Sequence, residues 1–243
     1  ENLYDDVYED RGWYANNWDC IRFEFTPLRQ KMGCISFDIG GYYLIREQDT
    51  LTFIRCGKYK DRPAHADNLH MDVWHKGENI LMDGGSYKYN TDASDINYFM
   101  GTQSHNTIML DNNNQMLKGA RFIWLYWSQA LKASIQELDE SYCFLGVVSC
   151  FRQLGQDITH SRKIIKKNDP KWVVEDIVLN KPQGSKIHQL WHTQSSRIDF
   201  KSVGHNNISS KGMYSEYYGQ KKENKEIKFI SNSESITTII QVI

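Results

Sequence analysis

The sequence predicts an all-β protein, a large antiparallel β-sandwich of stacked sheets. Three observations carry that prediction. Short runs alternate apolar and polar residues with a period of two. Turn residues such as Gly40-Gly41, Lys76-Gly77 and Pro182-Gln183-Gly184 punctuate those runs. No periodic pattern supports a helix of more than three turns.

In order, residues 1–18 are acidic and aromatic and read as a lead-in, with one sandwich domain expected over 19–243. Ile21, Phe23 and Phe25 alternate with Arg22 and Glu24 as in a strand, which Pro27 ends. Cys34 to Asp38 and Tyr42 to Arg46 form a predicted hairpin about Gly40-Gly41, and Thr50 to Cys56 follows. A polar loop with Pro63 leads to Leu69, Met71 and Val73. The chain turns at Gly77 and returns through Ile80-Leu81-Met82. Gly84-Gly85 breaks that strand, and Tyr87 to Gln103 reads as a long irregular segment, a class often functional. Further strands are expected at Asn106 to Leu110, Phe122 to Glu137, Tyr142 to Phe151, Ile158 to Lys166 and Lys171 to Leu179. Short strands continue to Ile243.

A chain of 243 residues can bury a sizeable core. Twenty-nine basic against 30 acidic residues give a net charge of −1, which argues against a general nucleic-acid or anionic-membrane binder. No run of about 18 apolar residues is present to insert into a membrane. The polar opening at Glu1-Asn2-Leu3-Tyr4, without an initiator methionine, fits a processed chain or part of a longer one. Aromatic residues reach 13%, which suits β packing and also rings lining a sugar groove. The five cysteines lack Cys-x-x-Cys spacing and read as free thiols, with a Cys143–Cys150 pairing across a hairpin left open.

The chemistry concentrates between Arg62 and Thr107. With the hairpin centred on Gly77, Asp83 falls opposite Met71, and His65 lies just before that strand. Both then sit at the hairpin's open end. His105 precedes the next strand and can reach the same sheet end. Two imidazoles and one carboxylate form a sensible zinc ligand set, with Asp67, Asp72 and Ser104 near enough in sequence to orient them. Other readings stay open. His65 suits acid–base work when it binds no metal. Tyr87 and Tyr89 suit proton transfer or simple packing, and Arg62 and Lys88 suit a carboxylate or sulfate. His188 and Trp191-His192 read as core.

His65-Ala66-Asp67, the strand to Trp74, Asp83-x-Gly85-x-Tyr87-x-Tyr89-Asn90, and Ser104-His105-Asn106-Thr107 with Asp111 together resemble the C-terminal β-sandwich domain of the heparinase II/III-like family. Phe122 to Gln129 and the stretch from His160-x-Arg162 to Asp176 fit the same domain, so the resemblance spans roughly residues 35–190. It implies a polysaccharide lyase that cleaves acidic, uronic-acid-containing polysaccharides by β-elimination, in a bacterial cell envelope or periplasm. It implies a partner domain too, an N-terminal α/α toroid that carries the asparagine and tyrosine of the reaction and is not in this chain; the sandwich alone is then expected to be inactive. It implies a structural zinc on His65, Asp83 and His105; Arg62, Asp67, Tyr87, Lys88 and Tyr89, on the reading of the residues themselves, are the expected substrate contacts. Many members begin the motif with His-x-His, the first His being linked to catalysis; here that position is Pro63. A non-catalytic glycan-binding or scaffolding module is therefore the alternative, and a metal-dependent hydrolase a third.

Overall fold

Alternation of side chains across the pleat builds the three sheets that carry the site. The structure, a computed structural model, describes residues 30–243. The lead-in and the strand read at Ile21 to Phe25 lie outside them. Residues 32–243 form one compact unit.

Strands are numbered along the chain. The first sheet is a meander of β1 (Gly33–Phe37), β2 (Tyr42–Arg46), β3 (Thr50–Arg55), β4 (Met71–His75) and β5 (Glu78–Leu81), each antiparallel to the next. Gly41 has a φ of +70° and lies against the Cys56–Gly57 backbone, 2.4 Å from where a Cβ would meet Gly57, so glycine is required there. Lys76 (φ 49°) and Gly77 (φ 80°) make the two-residue β4–β5 turn. Val73 pairs with Leu81, and this register carries Asp83 toward Met71 as the sequence suggests.

The second sheet has six strands: β9 (Gln129–Leu138), β10 (Ser141–Ser149), β11 (Thr159–Lys167), β12 (Lys171–Leu179), β14 (Ile198–Ser202) and β17 (Ser235–Val242). Their order is β14-β17-β12-β11-β10-β9. The third runs β15-β16-β13-β6, from β15 (Asn207–Tyr214), β16 (Lys222–Ser231), β13 (Ile187–Thr193) and β6 (Ile108–Leu110). A two-stranded ribbon joins β7 (Leu117–Lys118) to β8 (Trp124–Leu125). One continuous core takes Ile54, Met71 and Val73 from the first sheet, Phe144, Ile164, Trp172 and Ile240 from the second, and Trp191, Ile227 and Phe229 from the third. These residues lie on the inward side of their strands, so burial of apolar surface drives the stacking.

Three expectations change. The segment from Tyr87 to Gln103 holds a two-turn helix, α1 (Ala93–Met100), and a 3-10 turn (Thr102–Ser104). Only Phe99 and Met100 of α1 are buried, too short an apolar stripe to stand out in the sequence. The run from Phe122 to Glu137 is two strands, because Tyr126 takes a φ of 56° and breaks it. Cys143 lies near the start of β10 and Cys150 just beyond its end, on one strand rather than across a hairpin. Cys34, Cys56, Cys143 and Cys150 are all free thiols.

Candidate metal centre

Each ligand candidate is placed by a local feature of the chain. Gly84 and Gly85 place Asp83. A Cβ on Gly84 would stand 2.5 Å from the Ser104 Cβ, and one on Gly85 would stand 2.2 Å from the Ser215 carbonyl oxygen. Gly85 also has a φ of +75°. The Gly84 amide donates to Ser104 and the Gly84 carbonyl accepts from Ser215, at 3.0 and 2.8 Å. Only glycines let the chain pass between those segments. The Gly85 amide then donates to Asp83 Oδ1 at 2.6 Å, leaving Oδ2 to face the histidines.

His105 follows the 3-10 turn and is fully buried. His65 sits in the loop before β4, whose Ala66 packs with Met100, Met116 and Trp124 in a small separate cluster. His65, Asp83 and His105 each offer one ligand atom, all within 4.8 Å of one another. His65 Nδ1 lies 3.2 Å from His105 Nε2, and Asp83 Oδ2 lies 3.4 Å from His105 Nε2.

The Gly101 carbonyl fixes which His105 nitrogen donates, whereas the Ser86 hydroxyl beside His65 can donate or accept. His105 Nδ1 donates to the Gly101 carbonyl at 2.7 Å, so Nε2 carries a lone pair. His65 Nε2 has the Ser86 hydroxyl at 3.3 Å, which leaves Nδ1 as a lone pair when Nε2 holds the proton. With the His65 proton on Nε2, two nitrogen lone pairs and a carboxylate oxygen converge on one point, as a cation requires; with it on Nδ1, His65 donates to His105 Nε2 instead. Burial, then the neighbouring His105, pushes the His65 pKa down. Burial raises the pKa of Asp83, whereas positive charge on the His105, His70 or His65 ring, together with the Gly85 amide, lowers it below the usual carboxylate range, so the carboxylate is favoured whenever a cation stands among those rings. These shifts suit metal ligands, which bind deprotonated. The Asp83 side chain stays 39% exposed, so the point is open on one side to a further ligand.

Sequence reading missed His70. It is buried at the start of the same hairpin, and its Nδ1 accepts the Asn106 backbone N–H at 2.9 Å. Nε2 must then carry the proton of the neutral ring, and it faces Asp83 Oδ2 at 3.6 Å. Burial lowers the pKa of His70 to about 4, which keeps it neutral. His70 orients Asp83 and is not itself a ligand in this tautomer. It directly precedes β4 at the parity of Asp72 and Trp74 rather than of the buried Met71 and Val73, so alternation points it outward, and nothing in the spacing reveals the Asn106 amide that sets its tautomer.

The other sequence candidates divide. Asp67 accepts from Arg55 Nε at 2.9 Å and from the Tyr59 hydroxyl at 2.8 Å, so its carboxylate braces the loop. Ser104 Oγ lies 3.2 Å from His105 Nδ1. Asp72 accepts from Asn79 Nδ2 at 3.2 Å, and burial followed by the Asp83 charge among its raising causes lifts its pKa to about 7. Arg62 is exposed and Pro63 is buried. Tyr87, at a φ of 55°, has the Lys88 and Lys221 ammonium groups each 5.1 Å from its ring centre. Tyr89 is 67% exposed and packs on Phe122 and Tyr218. Tyr87, Lys88 and Tyr89 therefore form an aromatic and cationic surface that includes residues from the β15–β16 connection. Beside Asp83 opens a cleft of about 660 Å³ lined by Asp72, Trp74, Asn79, Tyr214 and Glu216 among others. His192 is buried against Asn106 and Glu226, as core.

An antiparallel sandwich with a His/Asp/His centre at its rim defines the class. The family model for the heparinase II/III-like C-terminal domain matches residues 29–238, and the chain belongs to that family. Its structure is similar to a solved heparinase III, the BT4657 gene product, with a TM-score of 0.72 and 17% identity over 88% of this chain and 36% of that one. It is similar to the heparan sulfate lyase HepC from Pedobacter heparinus, with a TM-score of 0.70 and 15% identity over 87% of this chain and 36% of that one. A third similar structure, a heparinase III, has a TM-score of 0.69 and 18% identity over 88% of this chain and 37% of that one. The chain thus spans little more than a third of the length of these proteins. No curated protein sequence matches it. Among the described residues, no helix is long and apolar enough to cross a membrane.

Proposed function

We propose that this chain is the β-sandwich module of a polysaccharide lyase that acts on uronic-acid-containing glycans by β-elimination, in a bacterial cell envelope or periplasm. The observation that carries the reading is the convergence of His65 Nδ1, Asp83 Oδ2 and His105 Nε2 within the family's C-terminal domain. Two neutral imidazoles and one carboxylate are a zinc donor set, whereas calcium and magnesium favour all-oxygen sites. Bound there, zinc would tie the open end of the β4–β5 hairpin to the loop before β6, a structural role. His65 is then a ligand and not a free base.

β-Elimination removes the proton next to a uronate carboxylate, and the carboxylate's charge must be neutralised as that proton leaves. Lys88 beside Tyr87 offers a cation and a ring face for such a sugar. Lys221 is held by Asp95 at 2.8 Å and serves mainly to fix the patch. The groups that complete the chemistry belong to the α/α toroid of the family, so the isolated chain binds the polymer without turnover. Electrophoresis through gels containing heparan sulfate or alginate tests this. Retardation that is lost in Lys88→Ala is expected, with no unsaturated product absorbing in the ultraviolet. Unretarded migration in both gels overturns the binding role, and product formation overturns the inertness.

A second reading, a glycan-binding module without lyase activity in any context, is favoured by one observation. Pro63 stands buried where many members carry a histidine, and it can transfer no proton. Unsaturated product from this chain joined to a toroid domain excludes that reading.

A further inference from the structure

Arg162 lies on β11, fully buried and outside the ligand set. Its cross-strand neighbour on β12 is Asp176, also fully buried. Arg162 Nε and Nη2 donate to Asp176 Oδ1 and Oδ2, both at 2.7 Å. His160 Nε2 and Gln189 Nε2 hold the same carboxylate, each at 2.7 Å. The guanidinium is thereby fixed, and its Nη1 points out of the sheet. Nη1 donates to the Leu69 carbonyl at 2.7 Å and to the Asn106 carbonyl at 2.6 Å.

Those two carbonyls are the backbone neighbours of the centre. Leu69 precedes His70 and takes a φ of 61°, a left-handed conformation that leucine rarely adopts. Asn106 follows His105. The Asn106 amide fixes the His70 tautomer, and Asn106 Nδ2 donates to the carbonyls of Met71 and Met82 at 2.9 and 3.1 Å. One cation thus spans the loop before β4 and the loop before β6, which are remote in sequence.

We propose that Arg162 is a positioning residue for the metal centre: locked by Asp176, it holds the Leu69 and Asn106 carbonyls so that His70, Asp83 and His105 are preset before a cation arrives. The inference rests on the metal reading above. A planar guanidinium can bond a carboxylate through one edge and two carbonyls through the other nitrogen; a lysine ammonium cannot. A buried ion pair is seldom more stabilising than apolar residues of the same volume, so its use here fits specification of the loops better than bulk stability.

Cobalt(II) titration of the whole chain tests the proposal, because its visible absorption reports the ligand geometry. The variants are Arg162→Lys and the charge-free pair Arg162→Met with Asp176→Leu. Lys166→Met is the control: Lys166 is another buried cation of β11, but it pairs with Glu47 at 2.6 Å. Folded Arg162 variants are expected to bind cobalt roughly 10- to 100-fold more weakly with an altered spectrum. The control is expected to keep the wild-type affinity and spectrum whatever it loses in stability. Folded Arg162 variants that bind as wild type does, or a control that weakens binding equally, overturn the proposal. Wild type that takes up no cobalt overturns the metal reading, and the proposal with it. Should the Arg162 variants fail to fold, hydrogen exchange on the metal-free wild type decides. The Asn106 amide should be as protected as those of β11, and rapid exchange there alone shows that the loops are not preset.

Discussion

Gly85→Ala, compared with Gly77→Ala, isolates how much of the site depends on close backbone approach. Both glycines have positive φ, +75° and +80°. Placing an L-residue in that region costs about 1–2 kcal/mol. At Gly77 nothing lies within 4 Å of the new methyl, so that strain is the whole effect. At Gly85 the methyl would stand 2.2 Å from the Ser215 carbonyl oxygen, a backbone atom with no rotamer to yield. Forced overpacking of this kind adds about 1–3 kcal/mol. For a domain of this size each kcal/mol is about 2–4 °C, so Gly85→Ala should melt roughly 2–12 °C below Gly77→Ala. Relief of the clash must move the Gly85 amide that anchors Asp83, so zinc affinity should fall as well, while Gly77→Ala leaves it unchanged. Thermal melts and zinc isotherms on both variants measure the two effects. Equal melting temperatures, or a Gly85→Ala variant with wild-type zinc affinity, would refute the reasoning.

Zinc at a hundred times its dissociation constant should stabilise the chain by about 2.7 kcal/mol. A chelator should remove that gain from wild type and have no effect on His105→Ala; a wild-type melting temperature indifferent to zinc counts against a structural centre. Acid should weaken the fold in two stages. Burial lowers the pKa of His160, so the unfolded chain binds more protons and stability declines as pH falls below about 6.5. Despite burial, Arg162 and His160 hold the Asp176 carboxyl below the usual range, so its contribution is lost only as pH falls below about 3.9 toward its folded pKa. Urea midpoints measured from pH 8 to 5 should fall less steeply in His160→Gln, and an unchanged slope would remove His160 from the account. Burial pushes the Cys56 thiol up to about 12 and raises that of Cys150 further. A thiol reagent should therefore label half-buried Cys143 in the native protein well before either, and rapid labelling of Cys150 would contradict the packing.

Much of this was written locally in the chain. Alternation marked β4, where buried Met71 and Val73 alternate with Asp72 and Trp74, because a strand with one face in the core must change polarity at each residue. Gly77 set the hairpin register, and that register carried Asp83 to the open end where His65 begins. The convergence of His65, Asp83 and His105 could be anticipated for that reason. Tertiary structure decided the rest. The two turns of α1 carry too few apolar residues to declare a helix, and the bend at Tyr126 depends on a backbone angle rather than a residue type. Asp67 looked open but is held by Arg55 and Tyr59. Arg162 was legible only as an inward-facing position, and His70, at the parity of Asp72 and Trp74, not even as that. Their roles follow from the Asn106 amide and from the Leu69 and Asn106 carbonyls, contacts made across sheets. Periodicity records which face of an element meets the core, since burial is a local demand on composition. It does not record which buried polar atom meets which, since that depends on how sheets stack after the chain has closed.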